Sequence, residues 1–396
     1  MNRKEWILML LLASVNFTHI LDFMIMMPLG NGLMRDLGIT PQEFSWLVSS
    51  YVFSAGFASI TASFFIDKYD RKNALIFAYI GFLLGTLACV FATNYTSLLT
   101  SRIVAGLFGG LIGAQGQSIV ADYFGYERRA SAMGILMAGF SVASVAGVPI
   151  ALKLSTVYDW HAPFIMVVAM GTIVAPLLLI YIPNMKGHLM KLGDKQSPFA
   201  AIQNVIADRN QRKAMLLTFA VQCSHFCIVP FIAPSLESNV HLDKDEVSLT
   251  YFFGGLFTFF LSPLVGKLAD RVGKLPVYIG FAISAAVVLF FFTNLGPQPL
   301  FVVYIITTLF FISSTGRFVP MQAMISSVVI PQHRGGFMNL NAFVSQVGSG
   351  IGTMLAGFIV IKQTDGSLLH YNYVGYFAIV LCLSSIFLAS RIKPIS

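Results

Sequence analysis

Charged residues are scarce in this sequence: of its 396 residues, only 11% are Asp, Glu, Lys or Arg, under half the share usual in soluble globular proteins. So few charges cannot cover the surface of a soluble domain when 56% of the residues are hydrophobic. The composition therefore excludes a soluble enzyme, a secreted scaffold and a disordered chain. The net charge of +8 does not indicate nucleic-acid binding, because the basic residues lie in short groups between apolar runs. We expect an integral membrane protein with no nucleic-acid partner.

Cysteine is also scarce, and several motifs of catalysis are missing. The four cysteines all lie inside apolar runs, which predicts small buried side chains rather than disulfides or metal ligands. The sequence contains no G-x-x-x-x-G-K-[ST] pattern for binding nucleotide phosphates, and neither an H-E-x-x-H nor a G-x-S-x-G pattern. We therefore expect no metal, no cofactor and no enzymatic activity. If the protein transports a solute, an ion gradient or the gradient of the substrate must drive that transport.

Long uncharged runs recur along the chain, and each can hold a helix of about 20 apolar residues, enough to cross a bilayer. The run over residues 275–316 is too long for one helix, and Gly296-Pro297-Gln298-Pro299 divides it in two. With a first helix over residues 6–33, the sequence predicts twelve spans. That first span is too long for a signal-peptide core, so we expect it to stay in the protein.

The positions of Lys and Arg predict that both termini are cytoplasmic. In that orientation most basic residues fall in inner segments, as the positive-inside rule requires. The predicted outer loops carry only four: Arg35, Lys153, Lys244 and Lys362.

The sequence also contains a weak internal duplication. Residues 40–43 and 243–246 both read as capping boxes at helix starts, and the same offset aligns Asp67 with Asp270. We predict two six-helix halves, residues 1–182 and 213–396, joined by a cytoplasmic linker over residues 183–212. Residues 198–212 have apolar side chains on one helical face, which predicts an amphipathic helix on the inner leaflet. A solvated linker is the alternative.

The loop after the eighth span, Gly266-Lys267-Leu268-Ala269-Asp270-Arg271-Val272-Gly273-Lys274, resembles the cytoplasmic signature of the major facilitator superfamily. The earlier copy, residues 63–72, keeps Asp67 and Arg71 but lacks both glycines. The resemblance implies an all-α membrane protein with twelve transmembrane helices, in two pseudo-symmetric six-helix halves around a central cavity, that works by alternating access.

The signature residues are candidates for gating. Asp67 and Arg71 can pair with helix ends and with Asp122, at the cytoplasmic end of the fourth helix. Asp270 and Arg271 are the corresponding candidates in the second half, where no acid matches Asp122. A tight charged turn without a gating role is the alternative.

The fifth helix carries a second resemblance. Its segment from Gly139 through Gly147 to Pro149, GFSVASVAGVP, resembles the glycine-rich antiporter motif of drug/proton antiporters and sugar-efflux permeases. Ile150-Ala151 stands where the family pattern often has a second glycine after the proline. Small residues allow close helix packing and the proline supplies a bend. The motif favours export over import, although glycines in membrane helices also serve packing alone.

Three charged residues fall inside predicted spans, where each is energetically costly: Asp22, Arg102 and Arg317. A helical rise of ~1.5 Å per residue places Asp22 and Arg102 at similar depth. The resemblance implies that the first and fourth helices lie side by side along the cavity, so we expect the two residues to form an ion pair. That pair is our candidate for proton coupling, and a purely structural pair is the alternative. His19, on the same helix face as Asp22, could deliver the proton or only bond to the carboxylate.

Other polar residues in the spans are candidates for lining the cavity and contacting substrate. Arg317 could bind a substrate anion or the carbonyls freed by Pro320, and His225 is either a packing residue or a second coupling site. The full set of cavity candidates is Asn16, Gln115, Gln222, His225, Arg317, Asn341 and Gln346.

The sequence thus predicts a proton-coupled secondary transporter that exports a small organic or amphipathic solute. Its expected partners are that small-molecule substrate, protons and the lipid bilayer, and we expect a monomer in a bacterial inner membrane. One alternative is a proton symporter or facilitator that imports a small solute. The other is a membrane receptor or scaffold that transports nothing.

Overall fold

The computed structural model describes residues 3–62, 69–124, 126–185, 203, 205, 207–329 and 334–393. Within this part the chain is almost entirely helical, as predicted. The helices and strands, in chain order, are α1 (Arg3–Ile25), α2 (Gly30–Asp36), α3 (Pro41–Ala62), α4 (Arg71–Val90), α5 (Tyr95–Tyr123), α6 (Tyr126–Val142), a π-helix (Ala143–Gly147), α7 (Val148–Val157), α8 (Ala162–Tyr181), α9 (Arg209–Ile228), a 3₁₀ helix (Val229–Phe231), α10 (Ile232–Ser238), α11 (Lys244–Val272), α12 (Lys274–Thr293), α13 (Leu300–Ser326), α14 (Arg334–Ile359), β1 (Ile361–Lys362), β2 (Leu368–Leu369) and α15 (Tyr371–Ser390).

Eleven helices in the described residues are long and apolar enough to cross a membrane. The long uncharged run is divided as expected, into α12 and α13. Helix α3 occupies the second predicted span and is not among the eleven, and residues 63–66 of that span lie outside the described residues. The predicted all-α membrane fold is confirmed, with one addition: β1 and β2 pair antiparallel in a short hairpin that the sequence analysis did not predict.

Two helix starts are fixed by the predicted capping boxes. At α3, the Thr40 backbone N–H donates to Glu43 Oε2 over 2.8 Å, and the Glu43 N–H donates to Thr40 Oγ1 over 3.2 Å. At α11, Asp243 and Glu246 exchange the same two bonds over 3.0 and 2.7 Å. In each box two backbone N–H groups that the helix leaves free gain acceptors, so the helix begins at a defined residue.

The chain divides into two compact units. The first comprises Met1–Met26 and Ser50–Gln196, and the second comprises Met27–Ser49 and Ser197–Ser396. Residues 27–49 come from the first half of the sequence but pack within the second unit. The predicted division at residues 183–212 stays a prediction. Within the predicted amphipathic stretch 198–212, residues 198–202, 204 and 206 lie outside the described residues, as does Asp67.

Glycines allow close helix contacts inside each unit. In the first, a β-carbon on Gly85 of α4 would lie 2.6 Å from the backbone nitrogen of Ala105 on α5. In the second, a β-carbon on Gly352 of α14 would lie 2.4 Å from the carbonyl oxygen of Cys223 on α9. Such distances exclude any side chain, which is how small residues let membrane helices approach.

Candidate functional site

The centre of the candidate site is an ion pair inside the first unit, between the two residues that were predicted to meet. Arg102 Nη1 donates to Asp22 Oδ2 over 2.8 Å, and both side chains have no exposed surface. Thr86 Oγ1 donates to Asp22 Oδ1 over 3.2 Å, so each carboxylate oxygen has a donor. Two desolvated charges are tolerated here because each compensates the other, and loss of either one would leave an isolated buried charge.

Tyr51 of α3 forms part of this site and was not among the residues predicted from the sequence. The guanidinium carbon of Arg102 lies 4.3 Å from the centre of the Tyr51 ring, in cation–π geometry. The Tyr51 ring also stacks on the Phe23 ring, with centres 5.5 Å apart. The sequence contains 14 tyrosines, and nothing in the spacing of this one indicated that it lies beneath a buried arginine.

Several donors around the ion pair have no acceptor among the described residues. They are Arg102 Nε, Arg102 Nη2 and the Tyr51 hydroxyl, all buried. A buried donor without a partner costs about 1–3 kcal/mol and is uncommon in native structures. This cluster is therefore suited to bind the acceptor oxygens of a polar molecule.

His19 lies beside the same cluster, with its ring 6.3 Å from the Tyr51 ring and 5.8 Å from the Phe82 ring, centre to centre. Gly109 of α5 makes room for it. A β-carbon at position 109 would lie 2.5 Å from the Tyr51 hydroxyl oxygen and 2.9 Å from His19 Nε2. The structure thus places His19, Asp22 and Arg102 in one buried region.

The antiporter-like motif packs against α1, the helix that carries Asp22. A β-carbon on Gly139 would lie 3.3 Å from the Ala13 carbonyl oxygen, and one on Gly147 would lie 2.6 Å from Leu21 Cδ1. Between the two glycines the chain forms the π-helix Ala143–Gly147, and Pro149 stands in the first turn of α7. Single-turn π segments occur often at functional sites.

Asn16 adds a polar contact between the same helices. Its side-chain amide donates to the Leu136 carbonyl of α6 over 2.8 Å. The Asn16 amide, which was predicted to line a cavity, therefore bonds to a neighbouring helix. Gln115 of α5 is also buried, and its Oε1 atom accepts no hydrogen bond from a described residue. Of these two cavity candidates, Gln115 therefore keeps an unused polar atom.

One of the predicted gating contacts is present. Arg71 Nε lies 3.2 Å from Asp122 Oδ2 and joins the start of α4 to the end of α5. The Arg71 side chain is 9% exposed and that of Asp122 is 38% exposed. Asp270 and Arg271, at the end of α11, are both exposed, and neither forms an ion pair with another residue that the structure describes. The two halves therefore differ at their signature loops.

Two polar candidates in the second unit, Asn341 and Gln222, each bond to a polar side chain on the facing helix. Thr218 Oγ1 of α9 donates to Asn341 Oδ1 of α14 over 2.6 Å, and Gln222 of α9 donates to the Ser345 hydroxyl. These bonds link two closely packed helices. Gln346, next to Ser345, is half-buried.

Arg317 is buried and His225 is half-buried, and both lie beside aromatic rings. The His225 ring stacks on Phe310 with centres 5.8 Å apart and meets Phe318 edge-on at 5.3 Å. Arg317 is 1% exposed, and its Nη1 donates to the Cys382 thiol of α15 over 3.0 Å. The structure thus gives Arg317 a thiol acceptor, which was neither of the two partners considered from the sequence.

Comparison with known proteins identifies the family. The model of the Major Facilitator Superfamily matches residues 12–210 and 214–395. The chain is 22% identical over 381 residues to the uncharacterized MFS-type transporter YceJ of Bacillus subtilis, covering 94% of this chain and 93% of the relative. It is 23% identical over 345 residues to a probable sugar efflux transporter of Helicobacter pylori, covering 86% and 83%.

Solved structures share the fold. A D-xylose-proton symporter superposes with a TM-score of 0.79 at 11% identity, over 98% of both chains. A bacterial homolog of the human lysosomal transporter Spinster, inward-facing and occupied, gives 0.75 at 17% identity, over 100% of this chain and 99% of the other. At these identities the likeness shows the fold alone. Because the family model covers nearly the whole chain, the protein belongs to the Major Facilitator Superfamily of membrane transporters.

Proposed function

We propose that this protein is a proton-coupled exporter of a small organic or amphipathic solute, working by alternating access as a monomer. The observation that carries the proposal is the completely buried pair of Asp22 and Arg102. Two further features support export: the antiporter-like glycines pack on the helix that holds Asp22, and a probable sugar efflux transporter is among the relatives. We place it in a bacterial inner membrane with both termini cytoplasmic, and with six-helix halves over residues 1–182 and 213–396.

The pair supplies a simple coupling device. While Arg102 contacts Asp22, the guanidinium stabilises the carboxylate anion; when the two separate, an isolated anion in an apolar interior is unstable and takes up a proton. Movement of α1 relative to α5, or a substrate that binds Arg102, would cause the separation. One proton would then be exchanged for one substrate, with His19 positioned to deliver or receive it.

The same geometry indicates which chemical groups the substrate offers. Arg102 Nε, Arg102 Nη2 and the Tyr51 hydroxyl are buried donors that lack acceptors among the described residues. A solute with hydroxyl or carbonyl oxygens would satisfy them. Arg71 and Asp122 would hold the ends of α4 and α5 together in one access state and separate in the other.

The test uses purified protein in proteoliposomes with an imposed pH gradient and a solute found by growth of a deletion strain on a chemical panel. The exporter should move solute against its gradient while protons move the opposite way. Asp22→Asn should abolish this driven movement yet keep solute binding and downhill exchange, and Asp22→Glu should retain part of it. Asp365→Asn, an exposed acid in the β1–β2 hairpin, is the control and should behave as wild type.

Three results would contradict the proposal in different ways. Driven transport by Asp22→Asn at the wild-type rate would make Asp22 structural, and coupling would then be sought at His225. Solute and protons moving in the same direction would identify an importing symporter. A protein that moves no solute under any gradient would be a receptor or scaffold.

A further inference from the structure

Three of the four basic residues that were predicted outside the membrane meet at one pocket of the second unit. Arg35, Lys244 and Lys362 come from three separate stretches of sequence, and all line a depression of about 380 Å³. Two of its lining residues, Glu237 and Ser238, lie at the end of α10. Because outer loops of membrane proteins are depleted in Lys and Arg, this convergence calls for a physical reason.

The inner wall of the pocket carries acceptor atoms without donors. The Asn31 amide donates to Glu237 Oε2 over 3.1 Å and to the Ser238 hydroxyl over 3.0 Å. The Asn31 Oδ1 atom and the second carboxylate oxygen of Glu237, Oε1, are buried and accept no hydrogen bond from any described residue. Two such acceptors on one wall, one of them a carboxylate, favour a ligand group with several N–H donors.

The rim has the opposite character. Lys244 and Lys362 are half-buried, and neither forms an ion pair with another residue in the described part of the chain. Arg35 pairs with its neighbour Asp36, at 2.8 Å, and its side chain is 71% exposed. The lining also includes the exposed acid Asp243, whose carboxylate accepts from the Glu246 N–H at the start of α11. The three basic side chains outnumber this acid, so the rim offers net positive charge to an anionic group, next to a wall that offers acceptors.

We propose that this pocket binds a zwitterion that carries a primary ammonium and a phosphate or carboxylate. The ammonium has three N–H donors, which match the oxygens of Glu237 and Asn31, and the anionic group lies between Lys244 and Lys362. A simple anion would leave the wall acceptors unmatched and would meet the charge of Glu237. A simple cation would meet three like charges at the rim. The shared chemistry is that of an ethanolamine phospholipid headgroup or of a free amino zwitterion.

Binding would also join two parts of the second unit. Asn31 belongs to the segment 27–49, whereas Glu237, Lys244 and Lys362 follow much later in the sequence. A ligand that bridges them stabilises the contact between these parts by mass action, so its binding raises the temperature of unfolding. This rise in unfolding temperature does not depend on transport. The proposed binding site can therefore be confirmed or refuted separately from the proposed export.

The test measures the thermal stability of the full-length protein in uncharged maltoside micelles with phosphoethanolamine as the probe. We expect a concentration-dependent rise in Tm, with at least tenfold weaker binding for Glu237→Gln and for the double variant Lys244→Gln/Lys362→Gln. Phosphocholine, which has no N–H donors, should also bind at least tenfold more weakly. Lys153→Gln, the fourth basic residue predicted outside and in the first unit, is the control and should bind as wild type.

Nanodiscs separate the two sources. If ethanolamine phospholipids supply the ligand, adding them to phosphatidylglycerol nanodiscs should raise Tm and weaken the binding of free phosphoethanolamine. If a free zwitterion is the ligand, phosphoethanolamine should bind equally in both kinds of nanodisc. Two results would overturn the proposal: no shift in Tm with phosphoethanolamine, or an equal shift with inorganic phosphate that survives in Glu237→Gln.

Discussion

Gly147 lies so close to Leu21 that a β-carbon on the glycine would come within 2.6 Å of Leu21 Cδ1. Leu21 immediately precedes Asp22, so this contact sets how near the antiporter-like motif comes to the helix that carries the buried carboxylate. The glycine thus acts on the site through packing, without touching the ion pair.

Replacing this glycine should disturb the packing between the motif and α1. In Gly147→Ala the new methyl group must push Leu21 aside, and such overpacking costs about 1–3 kcal/mol. We expect a lower Tm and slower driven transport. Gly134→Ala, on the same span, is the matched control because a β-carbon there has no neighbour within 4 Å. Equal Tm values for the two variants would show that the Leu21 side chain moves aside without a cost in stability.

Gly109 provides a second test at the site itself. The methyl group of Gly109→Ala would collide with the Tyr51 hydroxyl and His19 Nε2, so we expect loss of pH-driven transport. Adding Tyr51→Phe removes the nearer colliding atom and should restore part of the stability that Gly109→Ala loses. Gly113→Ala, one turn along α5 with no neighbour within 4 Å, should behave as wild type. No rescue in the double variant would mean that His19 carries the whole effect.

The buried ion pair should be energetically coupled. Arg102→Met or Asp22→Asn alone leaves one partner of a buried pair unmatched, and breaking such a pair typically costs about 3–5 kcal/mol. The double variant Asp22→Asn/Arg102→Met removes both charges, so it should be more stable than Arg102→Met. Thermal unfolding of the four proteins forms a double-mutant cycle. Additive losses would show that the two side chains do not interact.

The contact between α4 and α5 can be tested by charge reversal. Arg71→Ala should reduce transport without preventing membrane insertion, because it removes the ion pair with Asp122. In Arg71→Asp/Asp122→Arg the pair can form again, so we expect partial recovery over either single reversal. Arg271→Ala, whose side chain has no ion pair with a described residue, is the corresponding change in the second half and should have a smaller effect. Additive loss in the reversed pair would argue against direct contact.

Membrane orientation can be tested with single introduced cysteines. The natural cysteines are all buried and free, so a membrane-impermeant thiol reagent should react little with the unmodified protein. On intact cells we expect labelling of Lys153→Cys and Lys362→Cys but not of cysteines placed within residues 186–202. The reverse pattern would invert the predicted topology.

Much of the fold could be predicted because its determinants are local or one-dimensional. The capping boxes at Thr40 and Asp243 depend on two residues three positions apart, and the spans depend only on uninterrupted apolar length. The pairing of Asp22 with Arg102 could be expected because charges in hydrocarbon must be compensated and because helical rise gives their depth. That their helices are neighbours came from the resemblance to the major facilitator superfamily.

What could not be predicted depends on which helix lies next to which, and on how each is rotated. Its position inside an apolar span shows that Arg317 is unusual, but not that Cys382, 65 residues away, is its acceptor. Tyr51 is a common residue type in an apolar helix, and only the fold places it beneath Arg102. The convergence of Arg35, Lys244 and Lys362 has the same origin, because three loops meet only when the second unit is assembled.

The π-helix at Ala143–Gly147 also determines the angular register of the motif. Gly139 and Gly147 are eight residues apart, and on a regular α-helix, at ~100° per residue, they would point ~80° away from each other. The wider π turn absorbs one residue, so the effective separation is seven and the angle falls to ~20°. Both glycines can then face α1, at Ala13 and at Leu21. On an ideal α-helix, a separation of eight residues would place these two glycines on different faces. The extra residue of the π turn brings both glycines onto the same face.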